Sequence, residues 1–346
     1  LNKTINAYYE SALSLKLPII YIDEVKGLNV HLGNKNYFLL RDITQMNNAS
    51  SIFISNNKYF IRSLFQDENI PVPKGISLSR ADFLKTSLTG LVQGMQFPLV
   101  AKPMLGSHKG EDVLCNIKEI EGLSNYLKFM FKKHKFMLIE EYHTGLKEYQ
   151  VLLLNGRILS VVERRKPTVI GDGVNSMAQL IMLQYNMSKN HYSKLLGDNC
   201  EDYINCLKEQ DITPDKILKK NQIAKIRNAI TPTLMGYTHA LGRRINKKNA
   251  FLIRKTAKIT GLDLVSLEIL CEDINKPFTK SNWFILGVNS PSDITIHESP
   301  KSGKAVNVSK KILKQIIYRH PVAYLLHRLK LIYFNLTRDS DNGPKY

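Results

Sequence analysis

Two lysines, Lys58 and Lys102, are suited to phosphate, because lysine offers a compact point charge. Lys102 closes the apolar run Phe97-Pro98-Leu99-Val100-Ala101, and Gly106 and Gly110 follow in a polar turn. Backbone N–H groups in a glycine turn can approach phosphate closely. The spacing G-x-x-x-x-G-K-[ST] is absent, so this is no Walker motif, and alone the turn reads more simply as ordinary surface. A second set is acidic. Glu140-Glu141 end another apolar run, with Gly145 and Glu148 beyond. Carboxylates there either accept hydrogen bonds from a ribose or are a solvated strand end. Glu268 and Asn289 end two further runs, and oxygen ligands at strand ends suit Mg²⁺, which takes a few carboxylates plus phosphate oxygens. Arg164, Arg165 and Arg227 are of the type that stabilises charge on a transferring phosphoryl group, though each alone is more often a surface arginine.

The elements that must position these groups are partly legible. Asn155-Gly156 lies between Glu148–Leu154 and Arg157–Arg165, two β-rich runs, and this is the strongest short-range hairpin signal. Further strands are expected at 17–22, 36–41, 97–103, 136–141, 262–270 and 283–289. Helices are expected at 56–70, where Leu64 and Phe65 follow Phe60 and Ile61 at i+4, and at 117–133 and 250–260. Ile70-Pro71-Val72-Pro73 ends the first of these. The segment 174–230 reads as mostly helical. No internal repeat or low-complexity tract is present.

At 346 residues, 43% apolar and 23% charged, the chain is globular and long enough for two or three domains. Its four cysteines, Cys115, Cys200, Cys206 and Cys271, show no C-x-x-C spacing, which argues against a zinc site and for a reducing, cytoplasmic setting. No apolar run approaches the length of a membrane span. The opening Leu1 to Ala12 lacks the basic start and apolar run of a signal peptide, and a first residue of Leu leaves the native start open. The net charge of +19 is spread along the chain. It fits nucleic acid, an anionic membrane surface, acidic substrates, or simply a solvated basic surface.

The C-terminal stretch differs. Ile312, Ile316 and Ile317 share one helical face, and Val322, Leu325, Leu326, Leu329 and Tyr333 share another, with Pro321 between. A basic amphipathic helix lies on a membrane, meets a partner or docks on its own domain, and the last is the commonest case.

The order of these pieces resembles the ATP-grasp carboxylate–amine ligases, close to cyanophycin synthetases and to the glutathione-synthetase half of bifunctional glutathione enzymes. The resemblance runs from about Ser55 to Val308. It rests on Lys58, Ile70–Gly75, Pro98–Pro103, Ile139–Tyr142 with Gly145 and Glu148-Tyr149, and Arg164 with Val169–Gly173. It closes with Gly261-Leu262-Asp263, Val288–Pro291, His297, Pro300 and Gly303. It implies an α+β fold in which two lobes clasp ATP. Residues 1–52 would be a truncated lead-in, 53–308 the ATP-grasp domain with its small lobe at about 75–145, and 309–346 a basic helical tail. It further implies an ATP- and Mg²⁺-dependent ligase forming an amide through an acylphosphate on an amino-acid or peptide carboxylate. Lys58, Lys102 and Gly106 would hold phosphates, and Glu140, Glu141 and Tyr142 would meet the adenine. Glu148 would meet the ribose, Arg164 and Arg227 the phosphoryl group or substrate, and Glu268 and Asn289 the Mg²⁺. The substrate would be a small amino acid or peptide, with acidic character suited to the basic surface. No nucleic acid is expected, and a homo-oligomer stays open.

Several positions depart from that family pattern. Its last strand reads Glu-Val-Asn, and here it is Gly287-Val288-Asn289, so a carboxylate that bridges two metals is missing. Pro291-Ser292-Asp293 replaces a Pro-Gly, Gln150 replaces an Arg, and Lys109 and Glu111 stand in a shortened glycine loop. Losses at the chemistry with the scaffold kept fit either a changed substrate or a degenerate ligase that binds nucleotide without turnover.

Overall fold

The computed structural model describes residues 2–41, 43–105, 112–195, 201–229, 236–279, 282–290 and 292–341, with the backbone alone for 194–195 and 334–341. Helix α1 (Lys3–Ser14) is started by Asn2, whose side chain accepts from the Ile5 N–H. An antiparallel sheet follows in chain order: β1 (Ile19–Ile22), β2 (Gly27–Leu32), β3 (Lys35–Leu40) and β4 (Ile43–Thr44). The strands expected at 17–22 and 36–41 are β1 and β3. Helices α2 (Ala49–Ser55) and α3 (Lys58–Asp67) are each capped by an asparagine, Asn48 and Asn57. Helix α3 is shorter than the expected 56–70 because Asn57 caps it just before Lys58.

The first lobe comprises β5 (Gly75–Ser79), α4 (Arg80–Lys85), α5 (Leu88–Leu91), β6 (Leu99–Pro103), β7 (Leu114–Ile117), α6 (Ile120–Met130) and β8 (Phe136–Glu141). Its strands pair antiparallel in the order β5-β8-β6-β7. Helix α6 buries Leu123, Tyr126, Leu127 and Met130, one 3.6-residue stripe, against Leu99, Ala101 and Ile139 of that sheet.

The hairpin is present as β9 (Lys147–Leu154) and β10 (Arg157–Arg165). Asn155 (φ +48°) and Gly156 (φ +70°) are both left-handed, as a type I′ turn requires. A side unit follows, with β11 (Thr168–Ile170), α7 (Met177–Gln184), α8 (Lys189–Leu195), α9 (Glu201–Lys208) and β12 (Ile223–Lys225). The segment read as mostly helical thus also contributes a strand, β12, which pairs with β11. Three residues per strand are too few to display alternation. Then β13 (Tyr237–Gly242), α10 (Lys247–Ile259), β14 (Leu264–Cys271), β15 (Trp283–Asn289), α11 (Thr295–Glu298) and β16 (Ser302–Gly303) complete a six-stranded sheet, order β15-β14-β9-β10-β13-β16.

The two faces of this sheet do different work. Tyr149, Val151, Leu153, Val265, Leu267 and Ile269 pack on one side with residues of α3 and α10. On the other side Leu152, Leu154 and Leu264 join the core of α1, β1–β3 and α12 (Val308–Arg319). Alternation puts Glu148 and Gln150 on this second side, beyond the apolar patch. Helix α13 (Pro321–Asp341) starts at the proline, which fits a first helical turn. It docks through Ala323 and Tyr324, while the stripe from Val322 to Tyr333, expected against the protein's own domain, faces outward. Among the described residues no helix is long and apolar enough to cross a membrane. Cys115, Cys206 and Cys271 are free and buried, and Cys200 lies outside the described residues.

Candidate active site

Strand register sets a polar row across four neighbouring strands. Arg164 of β10 lies opposite Glu148 of β9, Gln150 opposite Glu268 of β14, and Glu268 opposite Gly287 of β15. Directly opposed residues share a face, so the side chains converge. Arg164 donates to Glu148 at 2.8 Å and to Glu268 at 3.4 Å, and Asn289 Nδ2 donates to Glu268 Oε1 at 2.8 Å. Burial opposes the Arg164 charge, but Glu148, Glu268 and Asp293 around it hold its pKa above the ordinary arginine value. Burial pushes the Glu148 carboxyl up, with Arg164 pulling it back.

A second cluster lies between α3 and the first lobe, near enough for the Glu268 charge to act on Lys58. Glu140, at the end of β8, is buried and accepts from Arg62 at 3.1 Å and from Lys102 at 2.5 Å. Lys58 begins α3, one turn before Arg62, and donates to the Pro103 carbonyl at 3.4 Å. Burial and the neighbouring Lys102 charge push Lys58 down to about 8, against the pull of Glu268 and Glu140. Lys58, Arg62, Glu140 and Gly287 line one crevice of about 20 Å³, which joins the two clusters.

A third contact ties the lobes where β8 ends. The Lys166 ammonium donates to the Tyr142 hydroxyl and lies 5.0 Å from the centre of its ring. His143 stacks on Phe284 of β15, ring centroids 4.0 Å apart and 17° from parallel. Glu141 accepts from the Gln96 N–H at 2.9 Å. Arg227 follows β12 and is buried with the charge of Asp202 near it. Burial pushes the Asp202 carboxyl up, and the Ala229 N–H, Arg227 and Lys166 draw it down. Lys166 also draws down Glu148. Gly106, with Lys109 and Glu111, lies outside the described residues.

No protein-family model matches the chain. It is 27% identical over 267 residues to the cyanophycin synthetase of Synechocystis sp., covering 74% of this chain and 29% of that protein. It is 21% identical over 286 residues to the glutathione biosynthesis bifunctional protein GshAB of Pasteurella multocida, covering 80% of this chain and 37% of that protein. The crystal structure of a bifunctional glutathione synthetase from Pasteurella multocida matches with a TM-score of 0.60 at 19% identity. That match covers 91% of this chain and 43% of the other. The chain has the ATP-grasp fold. It spans 29% and 37% of the length of the two relatives above.

Three further side chains lie with the expected set. Arg62 was detectable as a second cation at i+4 from Lys58 on one helix face. Lys166 stands two residues after Arg164, the spacing of one strand face. His143 carried no sequence signal, because its partner Phe284 comes from a distant strand. The donor set fits the two groups an ATP-grasp cleft takes. Lys58 and Lys102 repel each other in a desolvated space, which a phosphate would relieve. Glu268 and Asn289 offer one carboxylate and one amide to a cation whose shell is otherwise phosphate and water. Among the described residues no three His, Cys, Asp or Glu side chains form a metal cage.

Proposed function

We propose that this chain is an ATP- and Mg²⁺-dependent ligase that joins an amino-acid or peptide carboxylate to an amine. The observation that supports this reading is the row Arg164, Glu148, Glu268 and Asn289 on an ATP-grasp fold, with the Lys58 and Lys102 cations close enough to feel one another and Glu268. Lys58 and Lys102 hold phosphate oxygens, and Gly106, outside the described residues, joins them by the family resemblance. The segment Glu140–Tyr142 borders the adenine, where Glu140 acts by fixing Lys102. Glu148 serves the ribose and holds Arg164 in place. A substrate carboxylate oxygen attacks the γ-phosphorus and ADP leaves. The amine then attacks the acyl carbon, loses a proton, and phosphate departs from the amide. Arg164 steadies charge on the moving phosphoryl group, with Arg227 on the substrate side. Glu268 and Asn289 would hold Mg²⁺, which would supply charge neutralisation on the phosphate oxygens.

An acidic substrate also suits a second opening, at the far end of β13. A cleft of about 770 Å³ is lined by Arg243, Arg244, Lys304 and Lys311 and by no carboxylate. The free buried thiols support a reducing, cytoplasmic setting. One observation favours a second reading, a pseudo-ligase that binds nucleotide without turnover. Gly287 offers no carboxylate, and Glu268 is already engaged by Arg164 and Asn289.

Nucleotide-dependent thermal shift run beside ADP release with mixed amino acids and Mg²⁺ separates the readings. A shift with ADP release supports the ligase. A shift without turnover across a broad amine and carboxylate panel assigns the pseudo-ligase. No shift with any nucleotide removes both.

A further inference from the structure

Helix α13 is fixed on one face and bare on the other. The Tyr324 hydroxyl donates to the Leu15 carbonyl at 2.7 Å, and His327 Nε2 lies 3.1 Å from the Lys16 carbonyl. Just before the helix, His320 Nε2 meets the Tyr37 hydroxyl at 2.7 Å. These contacts hold the first turns against the lead-in sheet. The outward face carries Val322, Leu325, Leu326, Leu329, Ile332 and Tyr333, exposed by 69, 59, 55, 53, 50 and 72%. The spacing i, i+3, i+4, i+7, i+10 and i+11 makes them one continuous stripe. Scattered exposed apolar residues are ordinary, whereas a contiguous stripe on an anchored helix marks an interaction surface.

Charge decides what covers it. Between Glu298 and Asp339 the chain holds nine Lys and Arg and no Asp or Glu. At 100° per residue, Arg328 falls along one edge of the stripe and Lys330 along the other. A second copy of the same face would bring cations against cations, with no carboxylate between. An anionic lipid surface meets both features at once. Apolar side chains enter the acyl boundary, and flanking cations reach the headgroups. Tyr333 suits the level between them.

We propose that α13 docks the protein in the plane of an anionic lipid surface, with the stripe from Val322 to Tyr333 inserted and Arg328 and Lys330 at the headgroups. The helix lies along the surface and does not cross it. This inference is independent of the ligase reading, since no residue of the cleft takes part.

The test is co-sedimentation of the full chain with phosphatidylcholine vesicles, with and without phosphatidylserine. The protein is expected to pellet with the phosphatidylserine vesicles alone, and less so as salt shortens the screening length. The pair Leu325→Ser and Leu329→Ser is expected to weaken partitioning by about 100-fold, the loss of two buried leucines. The pair Arg328→Gln and Lys330→Gln is expected to weaken it and flatten the salt dependence. Because the leucines are exposed, the serine pair should melt like the parent. Arg328 donates to the Tyr324 hydroxyl at 3.3 Å, so if either pair melts lower, Lys330→Gln alone decides through the salt dependence. Equal pelleting on both vesicle types, or binding undiminished in the variants, overturns the proposal. So does a dimer in sedimentation velocity that the serine pair dissociates, which assigns the stripe to self-association.

Discussion

Gly287 lies directly opposite Glu268 in the β14–β15 pair, and a Cβ built on it stands 3.2 Å from Glu268 Oε2. A side chain at 287 would therefore enter the space beside that carboxylate. With glycine there, the carboxylate leans on Arg164 and Asn289. The row keeps its paired register with no carboxylate at position 287.

Gly287→Glu is expected to raise Mn²⁺ affinity, read by electron paramagnetic resonance, by about tenfold or more, as a second carboxylate joins an oxygen-ligand site. Without metal the two carboxylates repel, and stability is expected to fall by about 1–2 kcal/mol. Gly287→Ala adds only the crowded Cβ and should bring no gain in metal affinity. Unchanged Mn²⁺ binding in the Glu variant would remove Glu268 from the metal ligands.

Glu140→Gln leaves Arg62 and Lys102 without the carboxylate that both contact. Breaking a buried ion cluster by removing the shared partner costs about 3–5 kcal/mol, because the cations stay desolvated. Denaturant unfolding should show that loss. The Glu141 carboxylate, one residue on, accepts among the described residues only from the Gln96 N–H, and Glu141→Gln should cost about 1 kcal/mol. Equal losses at both positions would mean that the ion cluster adds nothing of its own.

What could be read in advance follows from locality. The Asn155-Gly156 turn, the run ending at Glu140 and the strand ending at Lys102 are each specified by neighbours in sequence, and each is found in place. The contacts of Arg62, Lys166 and His143 are made between elements far apart in the chain, so no window contains them. For α13 the period was legible and its direction was not. Ala323, Tyr324 and Leu331 make the inner face apolar as well, so hydrophobicity does not say which side docks.

Nucleotide affinity should fall with rising pH earlier than in an ordinary lysine site. Lys58 is pushed down from 10.5 to about 8, chiefly by burial. Between those values the unfolded chain holds a proton that the folded chain has lost, so this group's contribution to stability rises with pH across the interval. Phosphate requires the ammonium, so the contribution to binding runs the other way and is lost as pH rises through about 8. The thermal shift given by ADP should shrink from about pH 7 to about pH 9, and Lys58→Arg should hold it constant. A parent shift that is flat over this range would show that Lys58 does not touch the phosphates.

His297, wholly buried in α11, is expected to govern acid sensitivity. Burial pushes its pKa from 6.5 down to about 4, with Asp293 pulling the other way, and neither ring nitrogen finds a hydrogen-bond partner among the described residues. The unfolded chain takes up a proton below 6.5 that the folded chain refuses until about 4. Stability is therefore lost as pH falls through that window, and this contribution levels off below it. At about 1.4 kcal/mol per pH unit the loss approaches roughly 3 kcal/mol. His297→Gln removes the titrating group, so its stability should decline less steeply between these pH values than the parent's. Chemical denaturation at a series of pH values measures both slopes, and identical slopes would place the acid sensitivity elsewhere.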